Sequence, residues 1–187
     1  DIRTKAICKE IIKRNIKIIW KIVSGTKVES IKNIETVDLM AVSGCKYISI
    51  SPESGSENVM KNIGKPFNLE HAYKIVKRMN EKKIFSQACF VLGFPDEGED
   101  DINKTKEMIY KLTKNGVDEI AIFIITPIPG SSIFDKLKGY NSFSELNFSP
   151  EWRKDYKYLA RKRLYFYFYF LFFKFIYFPK KIFFQCL

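Results

Sequence analysis

Apolar residues along this chain switch between two periods. Residues 6–13 place Ala6, Ile7, Ile11 and Ile12 at helical spacing, and residues 16–23 are a short β-branched run that reads as a strand. Ile31, Ile34, Val37, Met40 and Ala41 share one face of a helix predicted over 29–42, which Gly44 ends as a C-terminal cap. A strand follows at 47–51. Asn68 is a good N-cap for a helix through residue 80, with Leu69, Ala72, Tyr73, Val76 and Met79 inward. Residues 85–92 are apolar almost throughout and read as a strand. Glu97, Glu99, Asp100 and Asp101 precede a helix over residues up to 114, and lysines at its end suit the macrodipole. Gly116 stops it. Residues 119–125 form a fourth strand before Thr126-Pro-Ile-Pro-Gly130.

Strand and helix thus alternate about four times. Consecutive parallel strands need such crossovers, so an α/β fold with a parallel sheet is expected, its strands covered on both faces. A barrel sector and an open doubly wound sheet fit the periodicity equally. In either, ligands bind at the carboxyl ends of the strands. Ser51-Pro-Glu-Ser-Gly-Ser56 and Phe90-Val-Leu-Gly-Phe-Pro95 stand at two of those ends.

The 187 residues suffice for one ordinary domain or a large piece of a bigger one. An apolar fraction of 46% excludes general disorder. Of the net charge of +11, residues 151–187 carry +7. The tail therefore reads as a separate unit, with a boundary expected within the polar stretch 138–150: residues 1–137 as core, 138–187 as linker and extension. Cys8, Cys45, Cys89 and Cys186 lack zinc or iron–sulfur spacing, so no metal ligand is assigned. With no signal peptide in the chain, a reducing cytoplasm and free thiols are expected, Cys45 and Cys89 as small core residues.

Glu53-Ser-Gly-Ser56 offers a carboxylate, two hydroxyls and a glycine that lets a ligand approach the backbone, which suits a ribose or an amino-acid head group. The same residues also make a plain strand-to-helix turn, with Ser54 or Ser56 as N-cap. Gly93 permits close approach of a flat ring and Glu97 a cap for the next helix, although an ordinary βα loop fits too. Thr126 and its prolines form a stiff turn whose backbone can face a ligand. His71, off the apolar stripe, reads as a solvated surface residue. No Ser-His-Asp set or phosphate-binding glycine loop is present, and no catalytic residue is assigned.

The tail is dense in aromatics: eleven of the fifteen residues from Leu164 to Phe178. Arg161-Lys-Arg163 precedes this run and Pro179-Lys-Lys181 follows it. Fifteen helical residues reach roughly 22 Å, short of the ~30 Å hydrocarbon core. A helix packed on the domain's apolar flank and a peripheral membrane-surface helix over 161–187 both fit, while nucleic-acid stacking is disfavoured because so few charges interleave.

The strings Gly44-Cys-Lys-Tyr-Ile-Ser-Ile-Ser-Pro-Glu-Ser-Gly-Ser56, Gly64-Lys-Pro66, Cys89-Phe-Val-Leu-Gly-Phe-Pro95 and Ile124-Ile-Thr-Pro-Ile-Pro-Gly130 resemble, in order, the later part of a radical S-adenosylmethionine (SAM) core. The likeness is nearest to the cobalamin-binding group that includes anaerobic porphyrin cyclases. It implies a partial (β/α)6 barrel, here its last four strand–helix units, plus the basic aromatic C-terminal helix. It also implies an enzyme in which a four-iron four-sulfur cluster on a CxxxCxxC loop cleaves SAM to a 5′-deoxyadenosyl radical. By resemblance, Glu53, Ser54 and Gly55 contact the ribose or methionine part of SAM, Val91 and Gly93 lie along the adenine, and Thr126 and Pro127 reach its edge.

CxxxCxxC is absent from the chain, no cobalamin-binding half precedes the strands, and Asp96-Glu-Gly98 stands where Gly-Glu-Thr is usual. The expectation is a C-terminal portion of such an enzyme, carrying part of the SAM pocket and inactive alone, whose partner is the missing N-terminal part. Cluster and cobalamin would bind outside this chain. An unrelated α/β barrel enzyme and a non-catalytic membrane-associated module are the rival expectations.

Overall fold

The computed structural model describes residues 1–65, 67–126, 128–137, 142 and 149–185, the side chains of 184 and 185 excepted. In chain order the elements are α1 (Ile2–Lys13), β1 (Trp20–Thr26), α2 (Ile34–Val42), β2 (Cys45–Glu53), α3 (Glu57–Asn62), α4 (Leu69–Glu81), β3 (Phe85–Leu92), α5 (Glu99–Lys114), β4 (Glu119–Ile124), α6 (Tyr156–Tyr177) and α7 (Pro179–Gln185). Most of the expected boundary stretch 138–150 lies outside the described residues.

All four strands pair in parallel in the order β1-β2-β3-β4. A doubly wound sheet reverses its strand order at a switch point. Here each strand lies beside its predecessor, and right-handed crossovers wound in one direction put every intervening helix on the same face. The chain is therefore an α/β sector of a (β/α) barrel.

Alternation along the strands divides two environments. Ile48, Ile50, Ala88, Phe90, Leu92 and Ile122 are buried with Val37 and Met40 of α2, Ile75 and Met79 of α4, and Met108, Ile109 and Leu112 of α5. Tyr47, Gln87, Cys89, Val91 and Glu119 alternate with them and are half-buried or exposed. The sheet is thus covered on one face only, where cover on both was expected; the open face is the concave one, the lumen side of a barrel.

Four helices end in the same way. After α1, α3, α4 and α5 one residue turns left-handed (Asn15, Gly64, Lys83, Gly116), and the next amide closes on the last turn: Ile16 on Ile11, Lys65 on Met60, Ile84 on Met79 and Val117 on Leu112. This closure redirects the chain towards the sheet after α1, α4 and α5.

Packing corrects the expected position of the first strand. The first strand is Trp20–Thr26 rather than 16–23. A Cβ on Gly25 would lie 1.9 Å from Ser51 Oγ, so this glycine is the point where β1 and β2 approach closely. α3 is the single short helix that the strand-to-helix alternative allowed, capped by Ser56, whose Oγ accepts from Val59 N–H at 3.4 Å. The open edge of β1 leaves Ile19 and Val23 exposed.

The aromatic helix packs on α5 and β4. Leu159, Phe166 and Phe170 enter the core, and Tyr167 Oη accepts the Ile122 N–H at 3.0 Å on the outer edge of β4. At one end Arg153 reaches the carboxyl ends of β3 and β4; at the other Lys174 Nζ donates to the Asp118 carbonyl just before β4. α6 thus covers the edge that β4 would otherwise leave open. No helix among the described residues is long and apolar enough to cross a membrane.

Candidate functional site

The sequence places function at the ends of β2, β3 and β4, and the register brings those ends side by side. Glu53 pairs with Phe90, Val91 with Phe123, and the Ile125 amide bonds the Leu92 carbonyl at 3.0 Å.

Glu53 is the last residue of β2 and stands at φ +59°, a conformation uncommon for a non-glycine residue. Its Oε1 accepts from Lys65 Nζ at 2.6 Å, and its side chain is 15% exposed. The clamp comes from local folding: Gly64 closes α3, which returns Lys65 to the strand it left. The Gly64-Lys65 motif therefore fixes the orientation of Glu53. Pro66 lies outside the described residues.

Ser54 and Gly55 face α5. Ser54 Oγ is 3.1 Å from Thr105 Oγ1 and accepts the Ser56 N–H, while the Gly55 N–H donates to Thr105 Oγ1 at 3.0 Å. Both residues are buried, and a Cβ on Gly55 would lie 2.3 Å from the Lys104 carbonyl oxygen. They anchor the loop, and Glu53 is left at its accessible edge.

Val91 is half-buried on the concave side. Gly93, at φ +86°, is buried under α6: a Cβ there would lie 2.6 Å from Leu159 Cδ1 and 2.8 Å from Arg153 Nη2. Its carbonyl accepts from Arg153 Nη1 and its N–H donates to Glu97 Oε2 at 2.6 Å. Glu97 thus belongs to the end of β3 rather than capping α5. The cap is Gly98, whose N–H is taken by Asp101 at 3.1 Å. Burial pushes the Glu97 carboxyl up to about 7, against the Gly93 amide and Arg153. Its Oε1 is buried with no hydrogen-bond partner among the described residues. Thr126 is half-buried and donates to the Ile124 carbonyl at 3.4 Å, and Pro127 lies outside the described residues.

Below this rim runs a polar strip that the strand pattern did not reveal. Tyr47 Oη and Gln87 Nε2 both donate to Glu119 Oε2 at 3.2 Å, and Ser49 Oγ donates to Gln87 Oε1 at 3.1 Å. Cys89 Sγ lies 3.4 Å from both Ser49 Oγ and Gln87 Oε1, so Cys89 belongs to the concave face while Cys45 is core. Burial and Glu119 push the Tyr47 phenol up to about 12. The signal for this strip was present: Tyr47, Ser49, Gln87 and Glu119 fall at alternate positions of strands otherwise apolar.

Arg153 was also missed. Its side chain is 2% exposed, with Nη1 on the carbonyls of Gly93 and Ile125 and Nη2 on Asp155 at 2.7 Å. His71 is not solvated as expected but ties α4 to the Ile31 carbonyl at 2.8 Å. Among the described residues no three His, Cys, Asp or Glu side chains converge as a metal-binding group.

The family model described as the radical SAM superfamily matches residues 2–109. Bacteriochlorophyllide d C-12(1)-methyltransferase of Chlorobaculum tepidum is 30% identical over 105 residues, covering 56% of this chain and 22% of that protein. Anaerobic magnesium-protoporphyrin IX monomethyl ester cyclase of Rubrivivax gelatinosus is 24% identical over 132 residues, 70% of this chain and 23% of that one. Coproporphyrinogen III oxidase from Escherichia coli, a radical SAM enzyme of known structure, is 16% identical, with 70% of this chain and 30% of that chain covered and a TM-score of 0.49. The match thus spans about a quarter of the length of these two curated relatives. The motifs at the strand ends, the parallel strand–helix order and the family match agree: the chain belongs to the radical SAM superfamily.

Proposed function

We propose that residues 1–137 form the SAM-binding side of a radical SAM barrel, with SAM taken by the rim at the ends of β2, β3 and β4. The observation that carries the reading is Glu53, a strand-end carboxylate held left-handed at the concave edge and oriented by Lys65. A carboxylate so fixed can accept from ribose hydroxyls or from an ammonium group. Val91 offers apolar surface one strand away, and the backbone at Thr126 offers polar groups one strand further, the placement an adenine face and edge require. Ser54, Gly55 and Gly93 act by holding the rim in shape. The polar strip from Tyr47 to Glu119 lies deeper in the lumen and faces the substrate side.

The iron–sulfur cluster of the family is a different matter. The residues present do not fit it, since no three candidate ligands converge among those described. The cluster, and any cobalamin, would be held by residues outside 1–187, with catalysis belonging to the assembly of both parts.

Calorimetric titration of SAM into an enzyme containing this chain tests the assignment. Glu53→Ala is expected to weaken binding by about 1–3 kcal/mol, the range for losing a hydrogen bond to a charged group, or roughly 5- to 150-fold. His71→Ala, on the helical face, leaves affinity unchanged. Equal affinity of wild type and Glu53→Ala removes Glu53 from the site.

A further inference from the structure

The side of α6 turned away from the sheet is unpartnered. Leu164, Phe168, Leu171, Phe172, Phe175 and Ile176 recur at three- and four-residue spacing along it, and Phe168, Phe172 and Phe175 are each more than 60% exposed. The opposite side is committed to β4 and α5 through Leu159, Phe166, Tyr167 and Phe170. A helix that is apolar all round belongs in an apolar environment on all sides, and here only half of its circumference has one.

The charges around this stripe indicate what covers the other half. Exposed Lys157 and Arg161 stand at its amino end and exposed Lys180 follows its carboxyl end, about 30 Å apart along the helix. Residues 156–187 contain no Asp or Glu. Of the nearby acids, Glu99 is engaged by Tyr158 and Lys162 and Asp118 by Lys181 at 2.7 Å, while exposed Glu107 of α5 acts on Tyr169, which is not one of the six stripe residues. A second copy of this face would bring the same acid-free surface and leave the basic residues without counter-charge. These six side chains hold no donor or acceptor.

We propose that this face of α6 lies in the plane of an anionic lipid surface, its aromatic stripe in the headgroup–acyl boundary and Lys157, Arg161 and Lys180 on lipid phosphates. Because Arg153, Tyr167 and Lys174 fasten the helix to the sheet, it lies on the membrane rather than crossing it.

Vesicle flotation of the 187-residue chain tests this, since bound protein rises with lipid while aggregate sinks. The chain is expected to float with phosphatidylcholine–phosphatidylglycerol vesicles, and far less with pure phosphatidylcholine or at high salt. The triple variant Phe168→Ser, Phe172→Ser, Phe175→Ser should float at least about tenfold less, with an unchanged circular dichroism spectrum because all three positions are exposed. The double variant Lys157→Glu, Arg161→Glu should lose the preference for anionic lipid. The proposal is overturned if the triple variant floats like wild type, or if a monodisperse wild-type chain stays at the bottom with anionic vesicles. It is equally overturned if the chain self-associates without lipid and the triple variant abolishes that, which makes the face a contact between copies, or if an acidic protein, but no vesicle, saturates it.

Discussion

Arg153 donates through Nη1 to the carbonyl of Gly93 at 2.9 Å, joining a residue just before the aromatic helix to the end of β3, sixty positions earlier. The same nitrogen takes the Ile125 carbonyl beyond β4, so one buried guanidinium ties two adjacent strand ends of the rim. Arg153→Ala leaves two carbonyls short of a donor and opens a void beside Leu159. The expected loss is about 3 kcal/mol, read as a lower urea midpoint. Arg153→Lys recovers only part of it, because an ammonium cannot keep the planar fork that also holds Asp155.

Glu97 makes the same region sensitive to pH. Burial raises its folded value to about 7 from an ordinary 4.5. Across that window the native state keeps a proton that the unfolded chain has released, so stability falls as pH rises from 4.5 to 7 and levels off above. Glu97→Gln is expected to remove this component of the slope and to be the more stable protein by about 2 kcal/mol at alkaline pH. Urea midpoints of both proteins across the range check it; parallel pH profiles would show that Glu97 is not the titrating group.

The loop after β2 depends on Gly55 lying against the α5 backbone. An added Cβ would meet Lys104 O at 2.3 Å and Lys104 C at 2.6 Å, main-chain atoms that cannot rotate away. Gly55→Ala should therefore push the loop from α5, break the Ser54 and Gly55 bonds to Thr105, and cost about 3 kcal/mol. Gly64→Ala meets no atom within 4 Å and pays only for its φ of +69°, about 1 kcal/mol. Thermal melts of the pair separate contact from conformation.

Much of this frame was legible in the chain. β3 occupies the expected residues 85–92, α4 follows its Asn68 cap and apolar face, and α5 follows its expected span, though Gly98 rather than Glu97 caps it. Local signals sufficed there because period, cap and glycine agreed. β1 was displaced because Ile16–Ile19 looks like a strand yet only leads out of α1, while Gly25, needed for close approach to Ser51, carries no strand signal of its own. Glu53 could be named from its motif, but its clamp by Lys65 required α3, a helix too short to show a period. Arg153 gave no sign of its place at the rim, since the carbonyls it holds there lie 28 and 60 residues away and only Asp155 is local.

Deleting residues 151–187 uncovers the β4 edge at Ile122 and strips Arg153 from the rim, adding a second open edge to that of β1. The shortened chain is expected to aggregate faster than the full chain in light scattering. Tyr167→Phe, which frees only the Ile122 N–H, should accelerate exchange of that amide and leave the rest of β4 protected.

Hydrogen exchange in an enzyme containing this chain, with and without SAM, tests the central assignment most directly. If the rim holds SAM, amides near Glu53, Val91–Gly93 and Thr126 become protected together on binding, while those of α4 around His71 do not change. Unaltered exchange at all three strand ends, with saturation shown by calorimetry, would contradict it.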